Sequence, residues 1–147
     1  MSSEIYGLED ALKDLDMTSE EIDEAMDEIS KEVATEILDK AIGNVNGPHL
    51  GSKTNRKKLK IVDFEKQPYP VAVRTGNLKR SLKIKRMGKA SHKVFADMGI
   101  AKYACWVHDG TTRMEARPFL DDAVQSIMDS KKYLDIAGDI IDDVLNK

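Results

Sequence analysis

Residues 75–98 read Thr-Gly-Asn-Leu-Lys-Arg-Ser-Leu-Lys-Ile-Lys-Arg-Met-Gly-Lys-Ala-Ser-His-Lys-Val-Phe-Ala-Asp-Met, and the change of period inside this stretch decides the fold. Thr75-Gly76-Asn77 is a turn signal leading into a short helix around Leu78 to Leu82. The spacing then switches from helical to alternating. Leu82, Ile84 and Arg86 alternate with lysines, and beyond Gly88 the segment His92 to Met98 alternates again through Val94 and Ala96. Two alternating segments about a glycine-containing loop predict an antiparallel hairpin.

Helical periods surround this hairpin on both sides. Ile5, Leu8, Leu12 and Leu15 recur at spacings of three and four, predicting a short amphipathic helix. Thr18-Ser19-Glu20-Glu21 places a hydroxyl three residues before a carboxylate, the reciprocal arrangement that satisfies free amides at a helix start. From there Ile22, Met26, Ile29, Val33 and Ile37, widened by Ala25, Ala34, Leu38 and Ala41, form one long stripe that ends near Gly43 and Gly47-Pro48. Ala101 to His108 reads as a short apolar helix stopping at Gly110. A last helix is expected from Pro118 through Leu120, Ala123, Val124, Ile127, Met128, Leu134, Ile140, Ile141 and Val144. The expected fold is therefore α+β: a small antiparallel sheet with a long N-terminal helix and a C-terminal helix packed on it. The 147 residues are read as a single domain, 1–147, carrying a basic flexible loop at about 44–70 that contains Gly47, Pro48, Gly51, Pro68 and Pro70.

Charge is segregated along the chain. Residues 1–46 hold 14 acids and 3 bases, residues 47–102 hold 15 bases and 3 acids, and residues 103–147 hold 9 acids and 5 bases, for a net charge of -3. Such a distribution gives either two unlike surfaces for docking, or acidic and basic parts that fold against each other. The single cysteine, Cys105, excludes an intrachain disulfide and fits folding in a reducing cytoplasm. No basic-then-apolar export signal opens the chain, and no apolar run approaches the roughly 18 residues that a spanning helix requires.

Three constellations carry possible chemistry. Cys105-Trp106-Val107-His108-Asp109 contains a thiol, an imidazole and a carboxylate, the ingredients of a cysteine-dependent enzyme. No oxyanion-stabilising group accompanies them, so Cys105 is expected to be a small buried residue beside a core tryptophan. His49, His92 and His108 lack metal-ligand spacing, and no glycine-rich phosphate cradle is present; no metal or cofactor is expected. Lys53, Arg56, Lys57, Lys58 and Lys60 are candidates for contact with a polyanion or an acidic partner. Together with residues 79–93 they offer an alternative reading as a nucleic-acid-binding protein, although aromatic residues for stacking are scarce.

Two further segments combine with the first. Thr75 to Leu82 is followed by Tyr103-Ala104-Cys105-Trp106-Val107-His108-Asp109-Gly110-Thr111, and then by Ala116-Arg117-Pro118-Phe119-Leu120 with Ala123. In order and spacing this set resembles the head-tail joining, or tail-completion, neck family of long-tailed bacteriophages. Where that family usually has an acidic and then an aromatic residue before Gly-Thr, this chain has His108 and Asp109. The resemblance implies a small α+β virion subunit without catalytic activity or cofactor, forming a homo-oligomeric ring, as a hexamer, at the head-tail junction or tail end. It is expected to assemble in the host bacterial cytoplasm. The implied partners are other copies of itself, the head connector or stopper protein and the tail tube protein, with non-specific contact to DNA in the channel and no membrane. The implied interface residues are Thr75, Gly76, Leu78, Arg80, Trp106, Gly110, Thr111 and Arg117. Arg117 is further expected to pair with an acid near the last helix, with Phe119 and Leu120 entering the core.

Overall fold

The computed structural model describes residues 17–47, 71, 73 and 75–147. The helix expected over residues 5–15 and the polybasic run 53–60 lie outside them. Helix α1 spans Ser19–Asn44 and begins with the predicted capping box: Thr18 Oγ1 accepts from the Glu21 amide at 3.3 Å, and the Glu21 carboxylate accepts from the Thr18 amide at 2.8 Å. The elements that follow are α2 (Asn77–Ser81), β1 (Leu82–Gly88), β2 (Ser91–Ala96), α3 (Ala104–Asp109), α4 (Phe119–Asp129) and α5 (Lys132–Leu145). Strands β1 and β2 pair antiparallel, and the architecture is α+β.

Every other layer is organised by α1. Asp23, Asp27 and Ser30 recur at spacings of four and three, so they share one side of the helix. The hairpin lies on that side. Arg86 Nε donates to Asp27 at 3.1 Å, Lys89 Nζ to Asp23 at 3.0 Å, the Ala90 amide to Asp27 at 3.1 Å, and Ser30 Oγ meets His92 Nδ1 at 3.0 Å. Ile22, Ile29 and Glu36 recur every seven residues on a second side. There Lys132 Nζ reaches Glu36 at 2.6 Å, and both α4 and α5 pack against α1. The segregated charge is thus partly neutralised within the chain, an acidic helix against a basic ribbon.

The main core sits where the C-terminal half of α1 meets the later segments: Ala41, Val45, Val71, Leu78, Leu82, Ala101, Ala104, Val107, Phe119 and Ala123 are all buried together. Ile22, Ala25 and Ile29 of α1, Ile127 of α4 and Ala137 of α5 are buried outside that cluster. The end of α1 and the segment resuming at Val71 meet directly, because the Gly47 amide donates to Val71 O at 2.9 Å and the Val71 amide donates to Asn44 O at 2.8 Å. Asn44 also ties this corner to α4 by donating to Phe119 O at 3.0 Å.

One element differs from the sequence reading. The helix expected to run unbroken from Pro118 to Val144 is two helices, separated at Ser130-Lys131, with Lys131 left-handed at φ 55°. The break lets each helix keep its own apolar side on α1: Phe119, Ala123 and Ile127 from α4, and Ala137 from α5, are buried.

Candidate interaction surfaces

The first motif is built around a turn. Gly76 takes φ 76° to start α2, and Arg80 folds back so that its guanidinium donates to Thr75 O at 3.2 Å and Asn77 Oδ1 at 2.5 Å. Leu78 and Leu82 face the core. Ser81 is fully buried, satisfied by donating its hydroxyl to Leu78 O at 2.6 Å while its carbonyl accepts from the Asp97 amide at 2.7 Å. Of the residues expected at an interface here, Thr75 and Arg80 are exposed, Gly76 is half-buried and Leu78 belongs to the interior.

The second motif packs by helix phase. Ala104 and Val107 are the buried side of the six-residue α3, which leaves Cys105 and Trp106 facing outward. This corrects the expectation of a buried cysteine beside a core tryptophan: Trp106 is 59% exposed, and Cys105 Sγ lies 3.9 Å from Lys102 O at the surface. Ile100, Tyr103 and Trp106 recur at spacings of three through a run of turns, since the Ile100 amide bonds to Asp97 O and the Ala104 amide to Ala101 O. With Met98 they are the exposed apolar residues of this segment. They leave apolar side chains, one of them an indole, exposed within nine residues of chain.

His108 closes the inner end of α3. Its ring meets Phe119 edge-on, with centroids 5.2 Å apart and planes at 87°. Nδ1 lies 2.7 Å from Asp109 Oδ1, and Nε2 lies 3.8 Å from Asp121 Oδ2 in the first turn of α4. Nδ1 is thus held by Asp109 and the ring packs on Phe119 of α4, while Nε2 is buried with no hydrogen-bond partner among the described residues. Among the described residues no cluster of three or more His, Cys, Asp or Glu side chains is placed to hold a metal ion.

Gly110 and the segment after it serve the fold. Gly110 has φ 77°, and a methyl group there would sit 2.7 Å from the Ala116 amide nitrogen. Thr111 and Met114 exchange backbone bonds at 2.8 and 3.2 Å, which presents Thr111 at the surface. The Arg117 amide donates to Val107 O at 3.0 Å and its guanidinium lies 3.2 Å from Met114 Sδ. Pro118, at φ -73° and ψ 67°, centres a tight three-residue turn closed by the Phe119 amide on Arg117 O at 2.7 Å.

The basic residues 79–93, offered above as part of a polyanion contact, fall largely on the hairpin. The side holding Arg86 and His92 faces α1, so alternation turns Lys83, Lys85, Lys93 and Phe95 to the other side. Lys85 pairs directly opposite Lys93, and Lys83 opposite Phe95. Lys83 is bridged to Asp97 at 2.7 Å, and Lys93 lies 5.9 Å from the Phe95 ring centre. Met87 occupies an irregularity between Arg86 and Gly88 and is 59% exposed. The lysine alternation was visible in the sequence, but which side faced away depended on α1.

Compared with known proteins, residues 8–110 match the family model of the HK97-gp10-like proteins, described provisionally as a bacteriophage tail component. No curated protein and no solved structure matches the chain.

Proposed function

We propose, from the premise that this chain belongs to the HK97-gp10-like family of bacteriophage tail components, that it is a non-enzymatic ring subunit joining the head connector to the tail tube. A tail component is a virion protein, and it works by touching its neighbours. The observation that carries the reading further is the exposed patch of Met98, Ile100, Tyr103 and Trp106, which lies beside the second motif. Apolar surface of this kind needs a partner. Thr75, Gly76, Arg80 and Thr111 fall on the turns bordering the two motifs and are proposed as contacts with a neighbouring subunit or tail protein. Lys53, Arg56, Lys57, Lys58 and Lys60 are proposed to meet an acidic surface of such a partner.

Sedimentation of the protein alone and with its connector and tail-tube partners tests this function. A ring, or a complex with either partner that Trp106→Ala weakens, is the expected result. A subunit that remains monomeric and binds neither partner at micromolar concentration would overturn it.

A further inference from the structure

Helix α5 carries two apolar seams where a helix on a protein surface needs one. Tyr133, Ala137, Ile140 and Val144 recur at spacings of four, three and four; Ala137 is buried and the others are half-buried. Shifted by one residue, Leu134, Gly138, Ile141 and Leu145 repeat the same spacing. That spacing is the signature of a narrow seam meeting another element. Ile141 is half-buried, yet Leu134 is 50% exposed, Leu145 is 47% exposed, and nothing lies within 4 Å of where a side chain at Gly138 would begin. Asp135 and Asp142 stand one residue beyond Leu134 and Ile141, so an acidic row borders this second seam, backed by Asp139 and Asp143. Among the described residues none of these four aspartates joins an ion pair, while Lys132 of the same helix is already held by Glu36.

The opposite character is found on the outer face of the hairpin. Lys85 and Lys93 face each other across the ribbon, an arrangement that is destabilising unless an outside acid neutralises it. Phe95 and Met87 supply apolar surface among the lysines. The dimensions agree: Lys83 to Met87 spans about 13 Å of strand, and Leu134 to Leu145 spans about 16 Å of helix.

We infer that the second seam of α5 docks on the outer face of the β1–β2 hairpin of another copy of this chain. The inference rests on the self-association proposed above. Charge decides the occupant. The amphipathic segment over residues 5–15 is a poor match for the α5 seam, because residues 1–16 carry five acids against Lys13 alone. A second α5 would likewise oppose aspartate to aspartate. Duplex DNA on the hairpin would neutralise the lysines but leave Leu134 and Leu145 uncovered, whereas a second copy satisfies both surfaces at once. Because the two surfaces differ, each subunit uses one toward each neighbour, the head-to-tail arrangement that closes into a ring when its rotation permits.

The test is a charge exchange in the full chain, read by sedimentation velocity with circular dichroism as the folding control. Lys85→Glu/Lys93→Glu and Asp135→Lys/Asp142→Lys change exposed residues, so each doubly substituted protein should fold and each alone should lose the oligomer. An equimolar mixture should regain it, since reversed helix then meets reversed hairpin and native helix meets native hairpin around one ring. Leu134→Ser/Leu145→Ser should lose the oligomer without rescue by either charge variant. Oligomers that persist in the single variants, or a mixture that stays dissociated while the wild type assembles, would overturn the docking but leave self-association standing. A wild type that never self-associates, alone or with its tail partners, would overturn both. Retardation of a plain duplex DNA that Lys85→Glu/Lys93→Glu abolishes, with sedimentation unchanged, would assign the hairpin to nucleic acid instead.

Discussion

Gly76 and Gly110 share nearly the same φ, 76° and 77°, yet alanine should affect them very differently. At Gly76 a methyl group meets nothing within 4 Å, so Gly76→Ala should cost only the left-handed backbone penalty of about 1 to 2 kcal/mol. At Gly110 the ψ of 176° places the residue in a region reserved for glycine, and the methyl would stand 2.7 Å from the Ala116 nitrogen and 2.9 Å from Met114 O. Strain alone costs about 1 to 3 kcal/mol there, and the collision adds to it. Urea midpoints of the two variants should separate accordingly. Asp97 offers a second residue-level prediction: the hydrogen bond from Lys83, then that from the Gly99 amide, holds its carboxyl below the ordinary carboxylate value. The amide of Thr18, then its hydroxyl, does the same for Glu21. A group whose folded pKa is depressed stabilises the fold above its unfolded pKa, and that contribution is lost as pH falls through the folded value. Asp97→Asn should therefore lower stability at neutral pH and flatten its decline in acid, as followed by urea midpoints across pH. Residue identity alone misled at Cys105 and Trp106: both types favour burial, but the phase of α3 is set by Ala104 and Val107, which turn their neighbours outward.

At the scale of elements, periodicity revealed most of the described residues. The capping box at Thr18, the long helix and the hairpin all follow from spacings that local structure alone enforces. The division of the C-terminal helix was not legible, because Ser130-Lys131-Lys132 contains neither glycine nor proline. Tertiary packing imposes that break, placing a lysine at φ 55° so that α4 and α5 both reach α1. Lys131→Gly should relieve the left-handed strain, offset in part by the greater freedom of glycine in the unfolded chain. A stability change between zero and about 1 kcal/mol in favour of the variant is expected by thermal unfolding. Lys131→Pro should instead destabilise strongly, since proline fixes φ near -65°. The interaction surfaces follow the same division between local and tertiary cause. The two motifs and the lysine alternation are plain in the sequence, but the face on which the lysines lie depends on contacts between elements far apart in the chain.

For the whole molecule, segregated charge does two things at once. Arg86 with Asp27, Lys89 with Asp23 and Lys132 with Glu36 spend part of it inside the fold, and exposed pairs of this kind stabilise weakly, by about 0 to 1 kcal/mol each. The remainder, on the hairpin face and along α5, is free to act between molecules. The hairpin lysines fall within the basic residues 79–93 picked out from the sequence, but composition shows only that charge is unequal along the chain and not where folding leaves it. The corner where Asn44 and Gly47 meet Val71 has a different consequence, for modularity. Two hydrogen bonds seal the body of the protein at the points of exit and return, and Val45 and Val71 are buried at that seam. The two ends of any insertion at this point are therefore held together by the body itself. Loop closure grows only slowly with length, by about 0.6 kcal/mol per doubling. Lengthening the chain at this seam with a glycine-serine insert should therefore move the unfolding midpoint little, while an insert bearing other binding determinants should redirect what the subunit recognises without redesign of its core.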